Sequence, residues 1–306
     1  MDDRHGPEVS DRARGALLGL AVGDALGTTL EFSRRDSYPL HTEMTGGGPF
    51  RLRPGQWTDD TAMALALAES LIAAPHLDAH DLMTRFCRWW REGAYSCTGT
   101  CFDIGITTRQ ALARFEQTGE PFAGSTDPHT AGNGSLMRLA PTVLCALDDP
   151  GEVDRLAREQ GQTTHAAPQA VEACAYLALL LREAVLGQAN VLRPRAWAGD
   201  PAIAAIAAGS WRAKTRDQIR SSGYVVHTLE AALWAVGTTD GFEAALVAAV
   251  NLGDDADTVG AVTGQLAGAL YGASAIPERW LTSLAWRAEI MTTADRLQRR
   301  PIRGRT

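Results

Sequence analysis

The chain has 306 residues, 45% of them apolar and 21% charged, and a net charge of −7. That size and balance support a large buried core, and the acidic balance argues against general binding to nucleic acids or anionic membranes. Five cysteines, Cys87, Cys97, Cys101, Cys145 and Cys174, are odd in number and lack a second pair at zinc spacing, so all are expected as reduced thiols rather than a disulfide framework.

The first dozen residues are polar and carry no apolar signal-peptide core, which suits a cytoplasmic protein. Apolar residues at helical spacing then predict helices over 14–25, 61–74, 79–91, 103–117, 151–160, 168–186, 201–208, 225–236, 242–251, 258–271 and 277–297. Pro168, Pro201 and Pro277 suit first-turn positions. Alternating strand patterns are nearly absent, and no linker divides the chain. The expectation is one all-α domain over 1–306, with flexible tails at 1–12 and 298–306, the latter rich in arginine. Segment 32–57, with Gly46-Gly47-Gly48-Pro49 and Pro54-Gly55, reads as a long loop that moves. Segment 259–276 is apolar, but Gln265 and its glycines favour a buried helix over a membrane span. His80-Asp81 sits in an amphipathic helix without accompanying histidines and is not read as a metal dyad.

Glycines recur every four residues at Gly15, Gly19, Gly23 and Gly27, and again at Gly260, Gly264, Gly268 and Gly272. Each helix-interior glycine costs about 1 kcal/mol relative to alanine. Two such stripes predict buried helices whose backbones touch.

Acidic clusters stand at the mouths of two apolar helices: Thr58-Asp59-Asp60-Thr61 and Asp254-Asp255-Ala256-Asp257-Thr258. Aspartate and threonine also serve as helix N-caps, but a cap needs one such residue and each cluster has several. Packed carboxylates repel and are costly to bury without a cation. Their oxygens are hard ligands suited to Mg²⁺ or Mn²⁺.

The run from Gly15 to Gly27 followed by Glu31-Phe32 resembles the opening of the ADP-ribosylglycohydrolases. So do Gln56-Trp57-Thr58-Asp59-Asp60-Thr61, the motif from Gly132 to Pro141, Thr164-His165, and the run from Gly253 to Thr258. The run from Thr98 to Gly105 and the form of the middle motif look most like the bacterial branch, which contains the dinitrogenase reductase-activating glycohydrolase.

The resemblance implies a compact all-α fold and a centre of two Mg²⁺ or Mn²⁺ ions held by Thr58, Asp59, Asp60, Asp255, Asp257 and Thr258. It implies that Glu31 and Asp103 are the catalytic carboxylates. Gly132, Asn133, Gly134 and Ser135 match a loop that cradles a diphosphate, His165 a histidine that contacts ADP-ribose, and Tyr224 an aromatic that stacks on adenine. Asp24 is read as a packing or outer-shell residue, and Asp254 as a third carboxylate at the metals or an outer-shell partner. The implied activity is release of ADP-ribose from a modified protein side chain, most simply arginine. Serine-linked ADP-ribose, a small ADP-ribose derivative, diphosphate cleavage by the same metals, and a non-catalytic ADP-ribose binder are the alternatives.

Overall fold

The computed structural model describes residues 6–299, and these form thirteen α-helices joined by loops and short 3-10 turns. In chain order they are α1 (Pro7–Gly27), α2 (Asp59–Ala73), α3 (Ala79–Glu92), α4 (Ile106–Thr118), α5 (Ala140–Cys145) and α6 (Pro150–Thr164). There follow α7 (Pro168–Val185), α8 (Pro201–Ala207), α9 (Val225–Gly237), α10 (Phe242–Val250), α11 (Ala256–Tyr271), α12 (Glu278–Ser283) and α13 (Arg287–Gln298). Extended pairing among the described residues is limited to the isolated bridges Gly47–Leu52, Ser125–His165 and Gly132–Tyr224, so the fold is all-α. No helix among these residues is long and apolar enough to cross a membrane.

The antiparallel pair α1 and α11 forms the most extensive helix contact and the centre of the molecule. Both are buried on nearly every side, which is why their hydrophobicity shows no clear face. The glycine stripes meet: a Cβ built at Gly15 would lie 2.2 Å from Gly268 O, at Gly19 2.2 Å from Gly264 O, and at Gly23 2.0 Å from Gly260 O. A methyl group cannot enter such a contact without moving a backbone. Around this pair stand α2, α7, α9, α10 and α13.

Several expectations are corrected. The first helix begins at Pro7, earlier than 14, so part of the expected 1–12 tail is helical; positions 1–5 and, of the expected 298–306 tail, 300–306 lie outside the described residues. The single helix expected over 277–297 is two, α12 and α13, separated at Trp286, which is left-handed at φ 58°. Tertiary anchors impose that break: Ala285 N donates to Gly55 O (2.9 Å), Trp57 Nε1 donates to Ala285 O (3.2 Å), and the two tryptophan rings meet edge to face at 5.3 Å. The helix expected from 103 starts at Ile106, because Asp103 is left-handed at φ 59°. Helix α5 was not expected; its leading Ala140 N–H is capped by the distant Gln265 Oε1 at 2.7 Å.

The loop 32–57, expected to move, is tied to the body of the molecule around residues 41–46. Asn251 exchanges hydrogen bonds with the His41 backbone (2.9 and 2.8 Å), the His41 ring reaches Leu26 O (3.0 Å), and Trp280 Nε1 donates to Thr42 O (3.2 Å). Thr29 Oγ1 donates to Gly46 O (3.1 Å).

Candidate metal centre and substrate cavity

The C-terminal end of α1 and the N-terminal ends of α2 and α11 converge, and the residues at the two N-cap positions, Thr58 and Asp255, do not cap through their side chains. Asp78, Asp149 and Asp200 do cap α3, α6 and α8 through their own side chains. Thr58 and Asp255 occupy the same position on α2 and α11 and make no such bond. Carboxylates from elsewhere take over. Asp24 accepts from Thr58 N (2.9 Å) and Thr61 N (3.0 Å) at the start of α2, and Glu31 Oε2 accepts from Ala256 N (2.9 Å) at the start of α11. The clustered side chains are thereby freed to face one another.

They do so in two groups that share Asp257. Asp24, Asp60 and Asp257 offer oxygens within 4.8 Å of one another, and so do Glu31, Asp103 and Asp257. Thr58 Oγ1 lies 2.9 Å from Asp24 Oδ1, 3.1 Å from Asp60 Oδ2 and 3.3 Å from Asp257 Oδ2. One hydroxyl hydrogen cannot serve three carboxylates. Asp60 Oδ1 is buried and has no hydrogen-bond partner at all. Orphaned buried oxygens in an oxygen-only donor set fit a hard divalent cation.

The electrostatics agree. Burial first, then the neighbouring Asp257 charge, pushes Asp24 and Asp255 up to about 7. Burial, Asp59 and Asp257 push Asp103 up to about 11. Glu31 and Asp59 are raised well above the carboxylate range by burial and then by Asp257, and Asp60 by burial and then by Asp24. Without a counter-charge the cluster holds protons; a divalent cation reverses that preference.

A cavity of about 860 Å³ opens over this cluster, within the size range of small-molecule sites. Glu31, Asp59, Asp103, Asp255, Asp257 and Thr258 lie in its wall with Gly132, Asn133, Gly134 and His165. The glycine loop is fixed by Asn133 N donating to Gly223 O (3.1 Å) and by Val225 N donating to Ala131 O (3.0 Å). Asn133 Nδ2 donates to Asp255 Oδ2 (2.8 Å) and Thr228 Oγ1 (2.9 Å), joining this loop to the acidic cluster. His165 lies against Gly134, where a Cβ would come within 2.7 Å of the ring. Burial, and then the Arg138 charge, pull His165 down to about 3, so its ring is neutral.

Not every expected residue reaches the cavity. Thr58 and Asp60 are buried beneath its acidic end and do not line it. Ser135 is fully buried behind the loop, where its hydroxyl accepts from Cys174 Sγ (3.4 Å). Tyr224 stands beside the cavity, with its hydroxyl donating to Gln169 Oε1 and its ring against His227. Asp254 lines the cavity, but its backbone does the visible work, accepting from Phe32 N (2.8 Å) and donating to Ser33 O (2.9 Å). Asp24, read as a packing or outer-shell residue, accepts from the N–H and hydroxyl groups of Thr58 and Thr61, and its carboxylate also lies within the deep group. The available signal was a lone carboxylate in the apolar, glycine-striped stretch 15–27 of α1.

Comparison with known proteins bears on this arrangement. The description of the ADP-ribosylglycohydrolase family matches residues 5–305. The chain is 47% identical over 292 residues to ADP-ribosylarginine hydrolase Tri1 of Serratia proteamaculans, covering 95% of this chain and 80% of that one. It is 37% identical over 298 residues to ADP-ribosyl-[dinitrogen reductase] glycohydrolase of Rhodospirillum rubrum, covering 93% and 94%. A solved ADP-ribosylglycohydrolase-related protein complex contains a chain with a TM-score of 0.86 and 46% identity, covering 95% of this chain and 98% of that one. The chain belongs to the ADP-ribosylglycohydrolase family.

Proposed function

We propose that this protein hydrolyses the bond between ADP-ribose and an arginine side chain, using two Mg²⁺ or Mn²⁺ ions. The observation that carries the reading is the meeting of Glu31, Asp103 and Asp257 at one end of a cavity whose wall also holds the Gly132–Gly134 turn and neutral His165. The similarity to proteins named as ADP-ribosylarginine hydrolases supports arginine as the linked group.

Asp24, Asp60 and Asp257 would hold one ion, and Asp257 with Asp59, Asp255, Thr58 and Thr258 would complete the pair. Bound there, divalent cations supply positive charge that orients ribose hydroxyls and favours ionisation of water. The chain's own residues do the rest. Backbone N–H groups of the glycine turn and the His165 ring bind the diphosphate side. In the reaction the water oxygen bonds to C1″ and the C1″–nitrogen bond breaks. One proton leaves the water and one reaches the departing guanidine, so a single carboxyl group can take the first and return the second. Glu31 or Asp103 would make that exchange; their carboxyl oxygens meet at Asp257 in the cavity wall.

Product analysis on peptides carrying arginine-linked or serine-linked ADP-ribose, with and without chelator, tests the reading. Free ADP-ribose and unmodified arginine are expected, with loss of activity on chelation and recovery in Mg²⁺ or Mn²⁺. Release of AMP would mean diphosphate cleavage, binding without turnover a receptor, and full activity under chelation a metal-free mechanism.

A further inference from the structure

Phe32 is the large apolar side chain most at odds with its surroundings. It directly follows Glu31, lines the reaction cavity, and is 69% exposed. Its backbone is left-handed at φ 59°, a conformation that bulky residues avoid. Two hydrogen bonds hold it there, Phe32 N to Asp254 O at 2.8 Å and Asp254 N to Ser33 O at 2.9 Å. Its ring is also fixed from the side. Phe50 meets it edge to face at 6.3 Å and leans in turn on Phe102 at 5.2 Å. Phe102 precedes Asp103, so this row of rings runs from the residue after Glu31 to the residue before Asp103. Strain held in place by independent contacts, beside the reacting groups, points to function.

We propose that Phe32 is the platform on which the guanidinium of the substrate arginine stacks as it leaves the cavity, and that it sets the preference for arginine over hydroxyl-linked ADP-ribose. This rests on the arginine reading given above. The distal ribose must lie at the carboxylates, so whatever continues beyond C1″ passes the residues next to Glu31. A guanidinium is planar, positively charged and weakly hydrated, and it stacks on aromatic faces. A serine linkage offers neither plane nor charge, so the ring gives it nothing comparable.

The test uses the full chain in Mg²⁺, with peptides of one sequence carrying ADP-ribose on arginine or on serine. The serine-linked peptide is read as a competitive ligand, so it need not be turned over. For Phe32→Leu, KM for the arginine-linked peptide should rise roughly tenfold with kcat little changed. The inhibition constant of the serine-linked peptide and the Kd of free ADP-ribose should stay within about twofold, while Phe32→Tyr should restore the wild-type KM. Equal losses on both linkages would overturn the platform, because Phe32 would then act through Glu31. Weaker binding of free ADP-ribose would overturn it by assigning the ring to adenine or ribose. No change in any constant would overturn it as well. Each of these leaves wild-type cleavage of arginine-linked ADP-ribose intact, whereas a wild-type enzyme inactive on that peptide sinks both readings together.

Discussion

Arg138 is a fully buried cation whose hydrogen-bond partners are all neutral. Its guanidinium donates to Gln160 Oε1 (2.9 Å), Gln160 O (3.0 Å) and Thr164 Oγ1 (2.9 Å), and it lies over the Phe86 ring. Burial pulls it down to about 9, still protonated at neutral pH. Because arginine only donates, the Thr164 hydroxyl accepts from it and turns its own hydrogen toward His165 Nδ1 at 2.8 Å. The neutral histidine then carries its hydrogen on Nε2, beside the glycine turn. Thr164→Val removes that link at nearly constant volume. It should cost about 1–3 kcal/mol of stability and weaken ADP-ribose binding roughly tenfold, whereas Thr164→Ser should restore both, as read by thermal unfolding and calorimetry. Asp60 presents the opposite case, a residue costly to keep without its ligand. Asp60→Asn should weaken Mg²⁺ binding by at least about a hundredfold, since even outer-shell partners contribute up to that much. The metal-free variant should unfold no lower than wild type, because folding no longer has to neutralise a buried carboxylate at that position. Metal analysis beside thermal unfolding checks it, and a variant that keeps both ions would remove Asp60 from the ligand set.

At the scale of elements, the glycine ridge of α1 and α11 inverts the usual effect of alanine in a helix. Gly19→Ala would place a methyl 2.2 Å from Gly264 O and should destabilise by about 1–3 kcal/mol or more. Gly161→Ala, in α6, meets nothing closer than 3.8 Å and should stabilise by up to about 1 kcal/mol. Denaturant unfolding of the two variants gives the comparison. The ridge was legible because glycine at every fourth residue of an apolar helix costs stability that close backbone contact offsets. The break at Trp286 was not legible: only Trp57 and Gly55, far away in sequence, create it. The true start of α4 escaped for a related reason, since left-handed backbone at a non-glycine residue such as Asp103 leaves no mark in a helical pattern. The acidic clusters were visible, but which way they pointed was not. That depended on Asp24 and Glu31 supplying the caps from other elements.

For the whole molecule the buried carboxylates make stability depend on pH and cations together. Asp24 and Asp255 rise from 3.8 to about 7 on folding. Between those values the folded chain holds protons that the unfolded chain has lost. Their stabilising contribution is therefore complete below about pH 4 and disappears as pH rises through about 7. Metal-free protein should lose several degrees of Tm from these groups between pH 5.5 and pH 8, at about 1.4 kcal/mol for each pK unit. The rise in Tm on adding Mg²⁺ should be larger at pH 8 than at pH 5.5. Calorimetric scans at the two pH values with EDTA or Mg²⁺ decide it, and a Mg²⁺ effect greater at the lower pH would contradict the assignment.

The antiparallel union of α1 with α11 also has a consequence in time. During synthesis α1 emerges well before the helix that fills its glycine groove; the bond from Ala256 N to Glu31 spans 225 residues. Until then the apolar stretch 15–27 of α1 has no permanent neighbour on that side, and Asp257, shared by both carboxylate groups, has not been made. Divalent cations at the carboxylate cluster would therefore not nucleate folding from α1 alone. They would only lock a chain already made through α11, and folding dominated by contacts between such distant parts of the sequence is expected to be slow.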